Sequence, residues 1–212
     1  MITTLYLVRH GESLGNLKGI FLGFTDWGLS PRGKEQARML ADAVAGLSFA
    51  GVYSSDLSRA METVRPAADA HGLPICPDPA LREIYAGRWE GQTFDDIMAH
   101  FPEDRARWKQ DIGNARPTGG ESVAELQKRV LSALDRIAAA HPGQSVLIGT
   151  HATPIRATVC ALRGGGPNSM ASIPWVPNCS LTCIEYRDGI PTLLYTGKDD
   201  FLATHSYVSD KI

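Results

Sequence analysis

The chain has 212 residues, 43% of them hydrophobic, enough to bury a full core; it is long for one average domain and short for two. A net charge of −2 argues against a nucleic-acid partner, which a basic stripe would mark. No apolar run approaches the ~18 residues needed to span a bilayer, and "MITTLYLVRH" lacks a basic n-region and meets Arg9 too early for a signal peptide, so the expected location is the cytoplasm.

In chain order, "ITTLYLVR" (2–9) is a continuous apolar run of strand length. Directly after it, Gly11-Glu12-Ser13-Leu14-Gly15 fits G-x-S-x-G, the nucleophile elbow of serine hydrolases, while Arg9-His10 sets a cation beside an imidazole. An elbow needs a helix after it, and "NLKGIFLGF" brings Asn16, Gly19 and Gly23 too soon for one. Only twelve residues precede Ser13, leaving no room for the strand and loop that supply half an oxyanion hole. The match is therefore read as coincidence, and His10 is preferred over Ser13 as the nucleophile.

Ser30 caps the next helix, Pro31 suits its first turn, and "GKEQARMLADAVAG" carries it to Gly46. "AGVYSS" is a short strand. A helix from about Asp56 follows and ends near Gly72, with Pro66 expected to distort or interrupt it. Residues 77–120 read as an irregular insertion of short helical pieces broken by Pro102, Pro117 and Gly119-Gly120, placed to cover one end of the sheet. Ser122 and Glu125 form a capping box for the longest helix, whose apolar face is Val123, Leu126, Val130, Leu134 and Ile137. "SVLIGT" is a strand, and "TPIRATVCALRG" a helix with Thr153 as cap. "SLTCIEY" and "TLLYTG" are the last strands, joined by a turn near Asp188-Gly189. This alternation predicts one domain over 1–212: a three-layer α/β/α fold with a mostly parallel central sheet flanked by helices.

Three of these segments share a design. One strand runs straight into Arg9-His10, another into His151, and "GVYSS" leads through Asp56 into a helix whose first turn carries Arg59. Parallel neighbours would bring these groups to the carboxyl edge of one sheet, where open α/β folds bind ligands and helix N-termini attract anions. Arginine forks suit phosphate oxygens, and a neutral imidazole can attack phosphorus. No carboxylate-rich metal cage is evident, and no Walker A loop, H-E-x-x-H or G-x-G-x-x-G.

"LVRHGES", "SDLSRAMETV", "LREIYAGRWEG", "GGES" and "GTHATPIRA" resemble, in order and spacing, the successive motifs of the histidine phosphatase superfamily, also called phosphoglycerate mutase-like. The resemblance runs from Leu5 to about Ala161. It implies that His10 becomes phosphohistidine, that Arg9 and Arg59 clamp the phosphoryl group, and that His151 donates a hydrogen bond or charge to the same oxygens. It also implies Glu83 as proton donor to the leaving alcohol, with Asn16 and Gly23 as phosphate or substrate contacts. Glu83 would need a pKa raised toward neutrality, and His10 a backbone acceptor on its other ring nitrogen. Ala152 stands where the family commonly has Gly after the second histidine. If that backbone needed φ > 0, Ala would cost about 1 kcal/mol or more; otherwise its methyl group would narrow the pocket.

The function so implied is a metal-independent phosphatase acting on a small phosphorylated metabolite, an α-ribazole phosphate or a sugar phosphate fitting equally well. No cofactor, nucleic acid or membrane is called for, and a homodimer is left open. The alternatives are a phosphoglycerate mutase, which the acidic Asp95 and Asp96 after the acid motif disfavour, and a non-catalytic phosphate-binding module. The remaining candidates take ordinary structural roles. His71 and His141 sit at helix ends, where a cation suits the dipole; His100 precedes Phe101-Pro102; His205 lies in the terminal tail. Trp89 and Trp175 could line a pocket, but as large apolar residues they are more often core. "FPEDRARWKQD" reads as a solvated helical face, and Cys76, Cys160, Cys179 and Cys183 as buried reduced thiols, with Cys179 and Cys183 facing one way on a strand.

Overall fold

The computed structural model describes residues 1–202. Among these, six strands form one sheet: β1 (Ile2–Arg9), β2 (Phe49–Ser54), β3 (Ile75–Pro77), β4 (Ser145–Thr150), β5 (Leu181–Arg187) and β6 (Ile190–Lys198), in the order β3-β2-β4-β1-β5-β6. The first four are parallel neighbours; β5 and β6 add an antiparallel hairpin beside β1. That hairpin turns on Asp188 (φ 52°) and Gly189 (φ 82°), the two left-handed residues that a type I′ turn requires.

The central strands are apolar on both faces because both faces are covered. Leu5 and Leu7 of β1, with Val146 and Ile148 of β4, pack into one core with α6 (Val123–Ala140) and α7 (Ala152–Leu162). The alternate residues Val8 and Leu147 point the other way, toward α2 (Pro31–Val44) and α3 (Ser58–Ala70), where Leu40, Val44 and Val64 complete a second core. Each fully buried aliphatic side chain here contributes roughly 1.5–3 kcal/mol. The layers are therefore helix, sheet, helix, as the periodicity predicts. Local sequence fixes the helix starts: the Ser30 hydroxyl accepts the Gly33 N–H at 3.0 Å, and Ser122 and Glu125 form the reciprocal capping box.

Several expectations are corrected. Pro66 does not interrupt α3: it sits part-exposed inside the helix, while Ala67 and Ala68 beyond it stay buried in the second core, so packing outweighs one missing helical bond. A short helix, α1 (Leu14–Lys18), does follow Ser13, closed by Gly19 in the left-handed region. Helix α7 starts before Thr153. Its N-cap is His151, and Pro154 is tolerated at the third position because the first four N–H groups have no partner within the helix. Cys76 is exposed, on a three-residue edge strand. Cys179 is buried but lies ahead of β5 at φ 59°, so it does not share a strand face with Cys183.

The 77–120 insertion holds single helical turns at Pro79–Leu81 and Gly87–Trp89, then α4 (Phe94–His100) and α5 (Pro102–Gln110). Helix α5 is not wholly a solvated face: Asp104 is 4% and Trp108 8% exposed. Asp104 accepts the Thr118 N–H at 2.7 Å and pairs with Arg107. The insertion is tied to the carboxyl edge of the sheet, where the Thr150 hydroxyl donates to the Leu81 carbonyl at 2.8 Å. His205 lies outside the described residues, and no described helix is long and apolar enough to cross a membrane.

Candidate active site

Strands β1, β4 and β2 end almost level: Arg9 pairs with Thr150 and Ser54 with Gly149. The next residue on each, His10, His151 and Ser55, therefore emerges at one place, the carboxyl edge that the strand pattern singles out. Arg59 reaches it from the first turn of α3. Arg9, His10, Arg59 and His151 are all at most 5% exposed, and the two imidazoles lie 5.2 Å apart between centroids at 61°.

His10 Nδ1 stands 2.7 Å from the Gly11 carbonyl oxygen. A carbonyl only accepts, so Nδ1 carries the proton and a neutral His10 keeps its lone pair on Nε2. Burial, reinforced by Arg59 and Arg9, holds the His10 pKa well below 6.5, and the ring is neutral at physiological pH. Burial first, then Arg59 and His10, depress His151 in the same direction. The backbone acceptor that the sequence requires but cannot name is thus the carbonyl of the following residue.

Both arginines are aimed by backbone carbonyls. Arg9 Nη1 donates to Val176 O at 2.5 Å, and Arg59 donates from Nη1 to Thr25 O at 3.0 Å and from Nη2 to Gly23 O at 2.7 Å. Neither forms an ion pair within 4 Å among the described residues, and Arg9 Nε has no partner. Burial lowers each guanidinium to about 10, a shift the Glu83 carboxylate opposes, so both remain charged at neutral pH. Two buried cations without a bonded counter-ion form a receptor for an anion.

Glu83 lies in the insertion, half-buried. Its Oε1 accepts the Ile84 N–H at 2.7 Å and its Oε2 the Thr153 N–H, one of the free donors at the start of α7, at 3.4 Å. The loop that carries it is gripped by Arg129 of α6, which donates to the carbonyls of Ala80, Arg82 and Glu83 at 2.7–2.9 Å while paired with Glu121. The "GGES" motif therefore serves Glu83 through its Glu121.

Asn16, Gly23, Glu83 and Ala152 line one cavity of about 610 Å³ together with Arg9, His10 and Arg59. The Asn16 Oδ1 is taken by Ser13 and Asn178, so its amide nitrogen is what it can offer a ligand. Gly23 is left-handed (φ 53°), and a Cβ there would lie 2.3 Å from the Glu90 carboxylate that orders this loop. Ala152 occupies the first position of α7 and is not among the residues of positive φ, so the backbone-strain reading of the missing glycine fails and the methyl group simply lines the cavity. The Ser13 hydroxyl is spent as the α1 cap. Among the described residues no three His, Cys, Asp or Glu side chains group as ligands for a metal ion.

The sequence reading missed several supporting groups. Ser55 Oγ meets His151 Nε2 at 2.8 Å. Asn178 Nδ2 holds the His10 carbonyl at 3.0 Å. Of the two tryptophans read as pocket wall or core, Trp175 lines the cavity while packing against the core, with the Arg156 guanidinium 4.2 Å from its ring; Trp89 is core, at 2% exposure. Asn178 lies beyond the last motif, so position in sequence gave no signal for it. Ser55 follows a predicted strand directly, as His10 and His151 do, and that shared position could have marked it.

The model of the histidine phosphatase superfamily (branch 1) matches residues 5–199. Phosphoserine phosphatase 1 of Hydrogenobacter thermophilus is 37% identical over 160 residues, 76% of each chain. A Yersinia enterocolitica protein named "Probable phosphoglycerate mutase GpmB" is 31% identical over 87% of this chain and 85% of its own. The solved structure of Bacillus stearothermophilus YhfR superposes with a TM-score of 0.89 at 32% identity, covering 94% of this chain and 98% of that one. With its two imidazoles and two guanidinium groups gathered at the sheet edge, this chain belongs to the histidine phosphatase superfamily, branch 1.

Proposed function

We propose that the protein is a phosphatase that hydrolyses a small phosphomonoester through a phosphohistidine at His10. The observation that carries this reading is the His10 tautomer: Nδ1 is bound to a carbonyl, which leaves a bare Nε2 among buried cations. Nε2 attacks phosphorus as the ester P–O bond breaks, and Glu83 gives the departing oxygen its proton. Arg9, Arg59 and His151 hold the three non-bridging oxygens as their charge redistributes. Glu83, now a carboxylate, takes a proton from water, whose oxygen attacks the phosphohistidine and regenerates His10. The guanidinium groups and the start of α7 supply the positive charge, so the reading includes no metal ion or cofactor. The substrate is a small phosphorylated metabolite of the cytoplasm, with neither nucleic acid nor membrane involved.

The phosphoglycerate mutase reading draws support from the Yersinia relative. Hydrolysis is favoured by the greater likeness to a relative named as a phosphatase, phosphoserine phosphatase 1 of Hydrogenobacter thermophilus, at 37% identity. The test is turnover of p-nitrophenyl phosphate in EDTA, run beside a coupled assay for 3-phosphoglycerate isomerisation. Release of inorganic phosphate with EDTA present is the expected result. Isomerisation without release would replace the phosphatase by the mutase, and silence in both assays at every pH from mildly acid to neutral would leave a binding module.

A further inference from the structure

Ser55 is fully buried, and its hydroxyl has two neighbours among the described residues. One is the Leu57 N–H at 3.3 Å, which can only donate and so takes one oxygen lone pair. The other is His151 Nε2 at 2.8 Å. His151 is also fully buried, and its other ring nitrogen, Nδ1, is without a partner among the described residues. Burial and the surrounding cations keep the ring neutral, so it holds one proton for two nitrogens.

Two arrangements are possible, and donor counting separates them. Were the proton on Nε2, it would donate to Ser55 Oγ. The serine hydroxyl proton would then have no acceptor among the described residues, and Nδ1 would be left with a bare lone pair beside the His10 ring. With the proton on Nδ1, the Ser55 hydroxyl donates to Nε2 and accepts from Leu57, and Nδ1–H is free to donate to an anion. Leaving a buried hydroxyl unpaired is costly, so the second arrangement prevails.

We infer that Ser55 is a positioning residue: by donating to Nε2 it locks His151 in the Nδ1–H tautomer, which turns the second histidine into a hydrogen-bond donor to the phosphoryl group. The two histidines then carry their protons on the same atom, Nδ1, for opposite purposes. In His10 the proton is sequestered by Gly11 O so that Nε2 can attack; in His151 it is presented to the substrate. The catalytic consequence rests on the phosphatase reading above, whereas the tautomer does not.

The experiment is a two-bond ¹H–¹⁵N spectrum of protein labelled on histidine nitrogens, recorded with orthovanadate present, together with vanadate inhibition of turnover. In the unaltered protein His151 should show a protonated Nδ1 and a bare Nε2; a proton on Nε2 overturns the inference, whatever the variants do. Ser55→Ala should move the His151 proton partly or wholly to Nε2, leave His10 on Nδ1, and weaken vanadate inhibition by about 10-fold or more. Ser55→Thr, which keeps the hydroxyl, should restore the tautomer. An unchanged His151 tautomer in Ser55→Ala refutes the role given to Ser55, and a changed tautomer with unchanged inhibition refutes its catalytic consequence. An unaltered protein with the stated tautomer but no turnover would remove the phosphatase reading and leave the tautomer assignment intact.

Discussion

The ring of His10 at the end of β1 faces the ring of His151 at the end of β4, 5.2 Å away, with no residue bonded between them. Among the described residues neither ring has a carboxylate partner: their polar neighbours are a backbone carbonyl and a serine hydroxyl. Two neutral imidazoles and two buried guanidinium groups at one sheet edge suit a negatively charged ligand.

Arg59 is held by Gly23 O and Thr25 O but neutralised by no side chain bonded to it. Arg59→Met should weaken inhibition by inorganic phosphate and lower kcat/KM by about 10²–10³-fold, the scale for losing a donor to developing charge. The fold should survive, because the change also removes a buried cation that has no bonded counter-ion among the described residues. A phosphate inhibition constant that does not move would remove Arg59 from the site.

Glu83→Gln keeps the shape of the side chain and, with its single amide oxygen, one of the two backbone N–H contacts, but it has no acidic proton to give. Turnover of alkyl phosphates should fall by about 10²–10⁴-fold, and that of p-nitrophenyl phosphate, whose leaving group needs little protonation, by much less in the phosphorylation step. Equal losses for both ester classes, measured in single turnovers, would assign the acid elsewhere.

Ala152 takes ordinary helical geometry at the first position of α7. Ala152→Gly should therefore relieve no strain: kcat/KM should stay within about 3-fold and stability should fall by no more than about 1 kcal/mol. A large gain in stability by urea denaturation would mean that the alanine is strained after all.

The depressed histidines tie stability to pH. In the unfolded chain both titrate near 6.5; in the fold both titrate well below it. As pH falls through about 6.5 the unfolded state binds protons that the native state refuses, so the contribution of these residues to stability, complete above about pH 7, declines with acidification. The urea midpoint should drop between pH 7.5 and 5.5, and His10→Gln should flatten that drop. A midpoint difference between the two proteins that is independent of pH would mean that His10 titrates normally in the fold.

Much of this was legible in the sequence because the fold and the chemistry coincide at strand ends. Apolar runs that stop abruptly at Arg9-His10 and His151 identify both the strand and its functional edge. The supporting shell is different. Asn178 comes from a loop ahead of β5, and Arg129 from a helix in which the sequence marks only the cap and the apolar face; long-range packing alone brings them to the His10 carbonyl and to the Glu83 loop. Pro66 misled because local propensity forbids it, while burial of Ala67 and Ala68 overrides propensity. Cys76 misled because a thiol is usually core, yet a three-residue edge strand has no second layer to bury it.

The most direct measurement is to quench the protein during turnover of a phosphomonoester and map the phosphoryl group by peptide mass spectrometry under alkaline conditions that preserve phosphohistidine. The result expected is one acid-labile phosphoryl group on His10, absent from His10→Ala, whose kcat should fall by about 10⁴-fold or more. A phosphoryl group on Ser13, or a His10→Ala protein that still turns over at the original rate, would contradict the assignment of His10 as nucleophile.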